Sequence, residues 1–452
     1  MTTVEHNSCG NTTGSCTEAN DGGSNWLWND GREWRIEPGT MAKRKQNWGK
    51  TPWTVSFRSQ TTALPDHVDF AVVGGGFTGL SAAAWLARLA PKKSVLLLEA
   101  ALLGNGASGR TGGMVLAQSA AGDLRGLGNV LRGYRRILNG LGVQADLDLP
   151  GVWEVARGEK SMEGKKVRPL KRSPIDWNDS GRVRAVGKVP GGTVDPGKVV
   201  SGLAQAAVKF GAQIEEGAEV LKLEYSDPLL LHVRRKVKGR PREQIVTARK
   251  VLLATNAGSL DLAAKLYEAK ESAEAKLTFA VATARLTTKQ FDALGMNSGQ
   301  PFYTVDFPYL WGRKLKNGGM IFGSGLVPAF GETLRDGARM RLATASRVKE
   351  VWSGLEKFDV RHGEAAERLR SLEKRVRRLH PALKHVRFTH RWGGPILITK
   401  NFVPTFRRHP RSGNVLVLGG FSGHGVALSV YLGHWAAQVF LCRRDLPRWT
   451  PS

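Results

Sequence analysis

The chain has 452 residues, of which 41% are hydrophobic and 23% charged, and its formal net charge is +28. That length buries a sizeable core in two or three domains, and the composition is that of an ordinary globular protein. No stretch approaches the roughly 18 uncharged apolar residues of a membrane helix. The polar N-terminus shows no secretory apolar run, and three cysteines (Cys9, Cys16, Cys442) supply neither a disulfide framework nor a zinc site, so a cytoplasmic setting is expected.

Residues 1–40 contain the low-complexity run NSCGNTTGSCTEANDGGS, which cannot build a core, and are expected to be disordered or extraneous. Met41 then opens a basic lead-in with Trp48 and Trp53. Val68–Val73 reads as a buried parallel strand running into Gly74, Gly76 and Gly79 in G-x-G-x-x-G spacing. Gly74 permits the tight turn, Gly76 a close approach of backbone to a pyrophosphate, and Gly79 close helix packing. The helix start at Phe77 and Thr78 offers N–H groups and a positive dipole end to phosphates. Val95–Leu98 is the second strand, with Glu99 and then Ala100 at its end, about 20 residues past the last glycine, where a carboxylate accepts ribose hydroxyls. The unit specifies a dinucleotide but does not choose between NAD and FAD.

A second loop rich in small residues follows, with Ser108, Gly109, Arg110, Thr111, Gly112, Gly113 and Met114. Small residues let backbone N–H groups face an anion, and Ser108 adds a hydroxyl. Arg110 supplies a fixed charge there or is a solvated surface arginine. Asp195 and Pro196 mark a helix start, with apolar residues at helical spacing to Phe210 and a stop at Gly211. Val246–Ser259 is a strand ending in Thr255, Asn256, Ala257. Asn414–Leu428 is a buried strand entering Gly420, Phe421, Ser422, Gly423, His424, Gly425 and Val426, with a helix onward to Phe440. His424 is either a structural histidine held by backbone or a catalytic one.

With these segments on the page, the chain resembles the FAD-dependent D-amino acid oxidase-like superfamily, the group of glycine oxidase, sarcosine oxidase and γ-glutamylputrescine oxidase. The resemblance rests on V-V-G-G-G-F-T-G-L, Glu99, G-A-S-G-R-T-G-G, A-T-N-A-G and G-G-F-S-G-H-G. It implies an α/β fold: a Rossmann-like FAD-binding domain with a discontinuous α+β substrate domain built on an antiparallel sheet. The expected division is 41–150, 191–260 and 401–452 for FAD, and 151–190 and 261–400 for substrate. The resemblance also implies that the second loop runs under the pyrophosphate and ribityl chain, that Val220 contacts the adenine, and that the last loop meets the flavin pyrimidine edge. A metal is not expected.

Substrate-domain strands are expected at Val152–Ala156, Leu277–Leu286, Tyr309–Leu315 and Met320–Ser324, with helices near Glu332–Trp352 and Gly363–Leu379. Tyr309, Trp311, Arg313, Trp392 and His424 are the candidate pocket residues, with packing the alternative for the aromatics and solvent for Arg313. Two departures from the family narrow the substrate. A lysine that grips the substrate carboxylate in sarcosine oxidase is matched by Ala427, and the cysteine that carries flavin covalently there falls near Gly393 or Gly394. Noncovalent FAD and an amine without an adjacent carboxylate are therefore expected, oxidised by hydride transfer to flavin N5, with oxygen or an electron carrier as acceptor. The excess of Lys and Arg is scattered over loops and helix faces, as in a solvated basic surface; an RNA-binding flavoprotein is the alternative.

Overall fold

The computed structural model describes residues 47–60, 62–161, 164–237, 239–258, 273–328 and 358–449. The expected tail over residues 1–40 and the expected helix near Glu332–Trp352 lie outside these residues.

The chain opens with β1 (His67–Val73), α1 (Phe77–Leu89) and β2 (Val95–Glu99), the βαβ start read from the glycine spacing. β3 (Met114–Leu116), α2 (Val130–Leu141), β4 (Val152–Ala156), β5 (Asp176–Asn178), β6 (Arg182–Val189) and β7 (Gly191–Thr193) follow. Then come α3 (Pro196–Lys209), β8 (Gln213–Glu216), β9 (Glu219–Glu224), β10 (Leu229–Val237) and β11 (Arg240–Leu253). The second half holds β12 (Ala273–Thr283), α4 (Thr288–Leu294), β13 (Phe302–Thr304), β14 (Leu310–Lys314) and β15 (Met320–Pro328). α5 (Gly363–Leu379), β16 (Phe388–Thr399), β17 (Thr405–His409), β18 (Ser412–Gly419) and α6 (Gly425–Phe440) complete it.

Two large sheets result. The first has the order β17-β18-β11-β1-β2-β8, with β9 and β10 joined through the long strand β11. Its centre, β18-β11-β1-β2-β8, is parallel. Both faces are buried, which is why Phe70–Val73 of β1 and Val95–Leu98 of β2 read as unbroken apolar runs. Phe70, Val72, Val95 and Leu97 pack under helices α1, α3 and α6, while Ala71, Val73, Leu96 and Leu98 join the core continuous with the second sheet. The second sheet has the order β16-β12-β15-β14-β13-β4-β6-β5 and is antiparallel except where β13 runs parallel to β4. Helix α5 packs on it. This is the α/β architecture expected: a Rossmann-like sheet interrupted in sequence by a mainly antiparallel α+β unit. A short ribbon, β3 with β7, lies where the chain passes between them.

Local boundaries differ in instructive ways. β12 begins at Ala273 rather than Leu277, because its alternate residues pair along the whole of β16 down to Thr399. Helix α3 starts as expected, with the Asp195 side chain accepting the Lys198 N–H and Pro196 in the first turn, and it ends at Phe210 before a positive-φ Gly211. Asn317–Gly319 does turn the β14–β15 hairpin, with Gly318 at φ +81°.

Candidate cofactor and active site

The first glycine turn is sterically specified. Gly74 has φ +111°, and a Cβ there would sit 2.6 Å from the Ala254 carbonyl of the neighbouring strand. A Cβ on Gly79 would overlap the Gly74 carbonyl, so the helix closes directly onto the turn. Gly76 is the N-cap of α1 and has no side-chain cap bond. One helix-start amide is taken, since Phe77 N–H donates to Ser108 Oγ at 2.9 Å and ties the helix to the second loop. Thr78 is buried beside it.

Glu99 closes the unit at the end of β2. Its carboxylate accepts the Gly75 N–H at 2.7 Å and the Ala101 N–H at 2.9 Å. Burial pushes its pKa up, and the two amides pull it down. An ionised carboxylate has about four lone-pair sites, so two remain for the paired hydroxyls of a ribose; neighbouring Ala100 is exposed. Val220 lies in β9, paired with Val233 of β10.

The second loop folds on itself through Gly109 N–H to Gly104 O and Thr111 N–H to Ala107 O, both 2.9 Å. Arg110 is not a free surface arginine. It donates to Asn105 O and Oδ1, both at 2.9 Å, lies over the Trp48 ring at 5.5 Å, and is held at a pKa of about 10 by burial. Gly113 has φ +73°, and its carbonyl accepts Val194 N–H ahead of β3, where Met114 begins. Three of the candidate pocket residues come to this loop. Trp392 Nε1 donates to Arg110 O at 2.9 Å, and Arg313 Nε donates to Gly112 O. The Trp311 ring fills the space left by the absent side chains of Gly112 and Gly323. Arg313, only 7% exposed, also has its pKa lowered to about 10 by burial.

The other two turns meet each other. Asn256, at φ +47°, accepts Gly420 N–H on Oδ1 at 2.9 Å, so the turn of Thr255, Asn256 and Ala257 after β11 is bonded to the turn after β18. Gly420, Ser422 and Gly423 all have positive φ, Ser422 Oγ accepts Thr399 N–H, and Phe421 and Val426 are buried. His424 is the N-cap of α6 without a side-chain cap bond, and Gly425 begins the helix. His424 is half-buried, and desolvation lowers its pKa, offset in part by a hydrogen bond with the Ser422 backbone. Its Nδ1 has no hydrogen-bond partner among the described residues. An uncapped helix start beside an unsatisfied buried nitrogen suits a polar ring edge lying against it.

Among the described residues Tyr309 makes no hydrogen bond to the loop. Its carbonyl accepts Arg375 Nη1 at 3.1 Å, and burial pushes its phenol pKa well up. It belongs to a buried ion cluster that the sequence did not reveal. Arg157 bonds Asp179 at 2.6 Å and Asp306 at 2.8 Å, and Arg375 bonds Asp179 at 2.6 Å. Their separation along the chain left no pattern to read. The role of the lead-in was also missed: Trp53 Nε1 donates to Gly109 O at 2.8 Å, and Gly49 pairs with Trp392.

Three glycine-rich turns on one mainly parallel sheet, an acid at the second strand end and an antiparallel sheet reaching the middle loop are the layout of a dinucleotide-binding α/β protein. Residues 69–439 match the DAO family of FAD dependent oxidoreductases, and the chain belongs to that family. It is 26% identical over 420 residues to gamma-glutamylputrescine oxidoreductase of Escherichia coli K12, covering 84% of this chain and 85% of that protein. Among solved structures it is similar to glycine oxidase from Geobacillus kaustophilus, with a TM-score of 0.60, 19% identity and coverage of 84% of this chain and 96% of that one. It is also similar to L-amino acid deaminase from Proteus myxofaciens, with a TM-score of 0.63, 14% identity and coverage of 89% and 97%. The cofactor is therefore FAD, and the protein is an oxidoreductase. Among the described residues no helix is long and apolar enough to cross a membrane, and no group of His, Cys, Asp and Glu could hold a metal ion.

Proposed function

We propose that the protein oxidises the C–N bond of a small amine lacking a carboxylate next to the reacting carbon, with FAD held noncovalently. Bound FAD supplies the two-electron acceptor for the hydride equivalent. The imine formed hydrolyses in water, and oxygen or an electron carrier accepts the electrons in turn.

In this reading Gly74, Gly76 and Thr78 present the start of α1 to the pyrophosphate, and Glu99 holds the ribose. Val220 lies against the adenine. The 104–114 loop, the 255–257 turn and the 420–426 turn surround the remainder. The start of α6 favours negative charge on the ring system, and His424 donates or accepts there through its unpaired Nδ1. Residues 41–150, 191–260 and 401–452 form the FAD-binding part, and 151–190 and 261–400 the substrate part. The sheets support this division, since their strands sort along it apart from the β3–β7 ribbon.

One observation carries the substrate class. Ala427 is 1% exposed within the α6 core, where a carboxylate-binding lysine would be needed. Arg110 is bonded to Asn105, and Arg313 gives its Nε to Gly112 O. A substrate α-carboxylate would therefore lack a lysine partner at that position, and burying it without another cation is unfavourable. The absence of cysteine between Cys16 and Cys442 supports noncovalent flavin. The protein's work is orientation, exclusion of water and electrostatic support. Anaerobic mixing of the purified yellow protein with a panel of amines and α-amino acids tests the proposal. Bleaching of the visible band by amines without an α-carboxylate is expected. Faster bleaching by glycine, sarcosine or proline, or none with any compound, would sink it.

A further inference from the structure

We propose that Trp53, Trp392 and Arg313 are positioning residues that hold the 104–113 loop in the conformation that receives FAD. The proposal rests on reading that loop as flavin-binding and adds a second layer behind it.

The loop carries glycine at 104, 106, 109, 112 and 113. Glycine loses more conformational freedom on ordering than any other residue, so such a loop needs outside contacts to keep one shape. Three carbonyls, those of Gly109, Arg110 and Gly112, each meet a donor from elsewhere in the fold: Trp53 Nε1, Trp392 Nε1 and Arg313 Nε. In a planar trans peptide the carbonyl of one residue and the N–H of the next point in opposite directions. Fixing those carbonyls therefore fixes the directions of the Arg110, Thr111 and Gly113 N–H groups, the first two closing the turn on Ala107 O and the third donating to Thr111 Oγ1.

The donors brace one another. The Trp53 and Trp392 rings meet edge to face at 5.7 Å, and the Arg313 guanidinium lies 5.9 Å from the Trp53 ring centroid. All three are at most 8% exposed, so water does not substitute for a lost donor. When only a fraction of molecules has a competent loop, the apparent dissociation constant rises in inverse proportion to that fraction. The clamp is thus a device for affinity through preorganisation.

The test uses the full chain, stripped of flavin and titrated with FAD by fluorescence quenching. Trp53→Phe and Trp392→Phe keep the ring and remove only the N–H. Each should weaken FAD binding by about tenfold, the double variant further, and the visible circular dichroism of bound flavin should change. Trp85→Phe is the control, because the Trp85 indole nitrogen has no hydrogen-bond partner among the described residues; its affinity should match the wild type. If a tryptophan variant does not fold, Arg313→Lys reads the same property at Gly112. Wild-type protein that takes up no FAD overturns the flavin reading and the clamp with it. Wild-type uptake with unchanged affinity in the variants overturns the clamp alone. So does a lowered thermal midpoint of the flavin-free variants with unchanged affinity, since that marks the donors as structural only.

Discussion

His434 shows how far a single imidazole departs from its ordinary behaviour when two helices close on it. It lies on α6, tilted against Trp85 of α1 with ring centroids 4.3 Å apart. Burial, with Arg444 nearby, lowers its pKa from 6.5 to about 4. The unfolded chain therefore takes up the proton first. Stability is fully present above about pH 6.5 and is lost as the pH falls toward 4. Thermal unfolding of wild type and His434→Asn across that window should show a steeper loss for the wild type; parallel curves would contradict the assignment. The same closeness of packing explains what could be read residue by residue. Gly74, Gly79 and Glu99 were legible because their constraints are local: a positive φ, a helix pressed on its own turn, an acid at a strand end. The donor roles of Trp53 and Trp392 were not, because the carbonyls they meet lie 56 and 282 positions away and nothing in the intervening spacing encodes the contact. Arg313, read as a pocket or solvent residue, serves the loop backbone.

Helix α5 was legible from its apolar spacing, and its limits coincide with those expected. Its most consequential side chain was not legible. Arg375 reaches from the helix into the cluster with Asp179, Arg157 and Asp306, joining α5 to the ends of β4 and β5 and to the segment between β13 and β14. Removing one member strands the opposite charges in a dry setting. Asp179→Ala should cost about 3–5 kcal/mol of unfolding free energy in denaturant titration. Asp176→Ala, which breaks an exposed pair with Arg182, should cost no more than about 1 kcal/mol. Equal effects of the two would show that the buried cluster gains nothing from its burial. The strands followed the same pattern. β4 was legible from its alternation, whereas the true start of β12 was set by its partner β16 rather than by its own residues.

The two sheets are sewn together by the lead-in before β1. Asn47 pairs with Asp359 and Gly49 with Trp392 on the substrate side. Ser56 N–H bonds Ser201 Oγ, Ser59 N–H bonds Glu216, and Thr62 N–H bonds Glu215 on the other. A chain beginning at Met41 keeps every one of these contacts and should purify yellow. A chain beginning at Thr54 loses Trp48, Gly49 and Trp53 and should lose most of its flavin, as read from the ratio of visible to ultraviolet absorbance after gel filtration. Retention of flavin by the shorter chain would show that the lead-in is dispensable. The overall α/β plan was open to sequence reading because repeated glycine turns mark one sheet wherever they recur. How the two sheets are fastened was not, because that depends on residues from opposite ends of the chain.

That fastening has a consequence for the order of assembly. Asn47 of the lead-in pairs with Asp359, 312 positions later, and Trp392 meets Arg110 across 282. Contacts of such separation form late, after the intervening loops have closed. The latch over the 104–113 loop is thus assembled from segments far apart along the chain and is among the last parts to engage. Until those contacts close, the loop lacks its outside donors, so on the clamp reading FAD uptake awaits these late contacts.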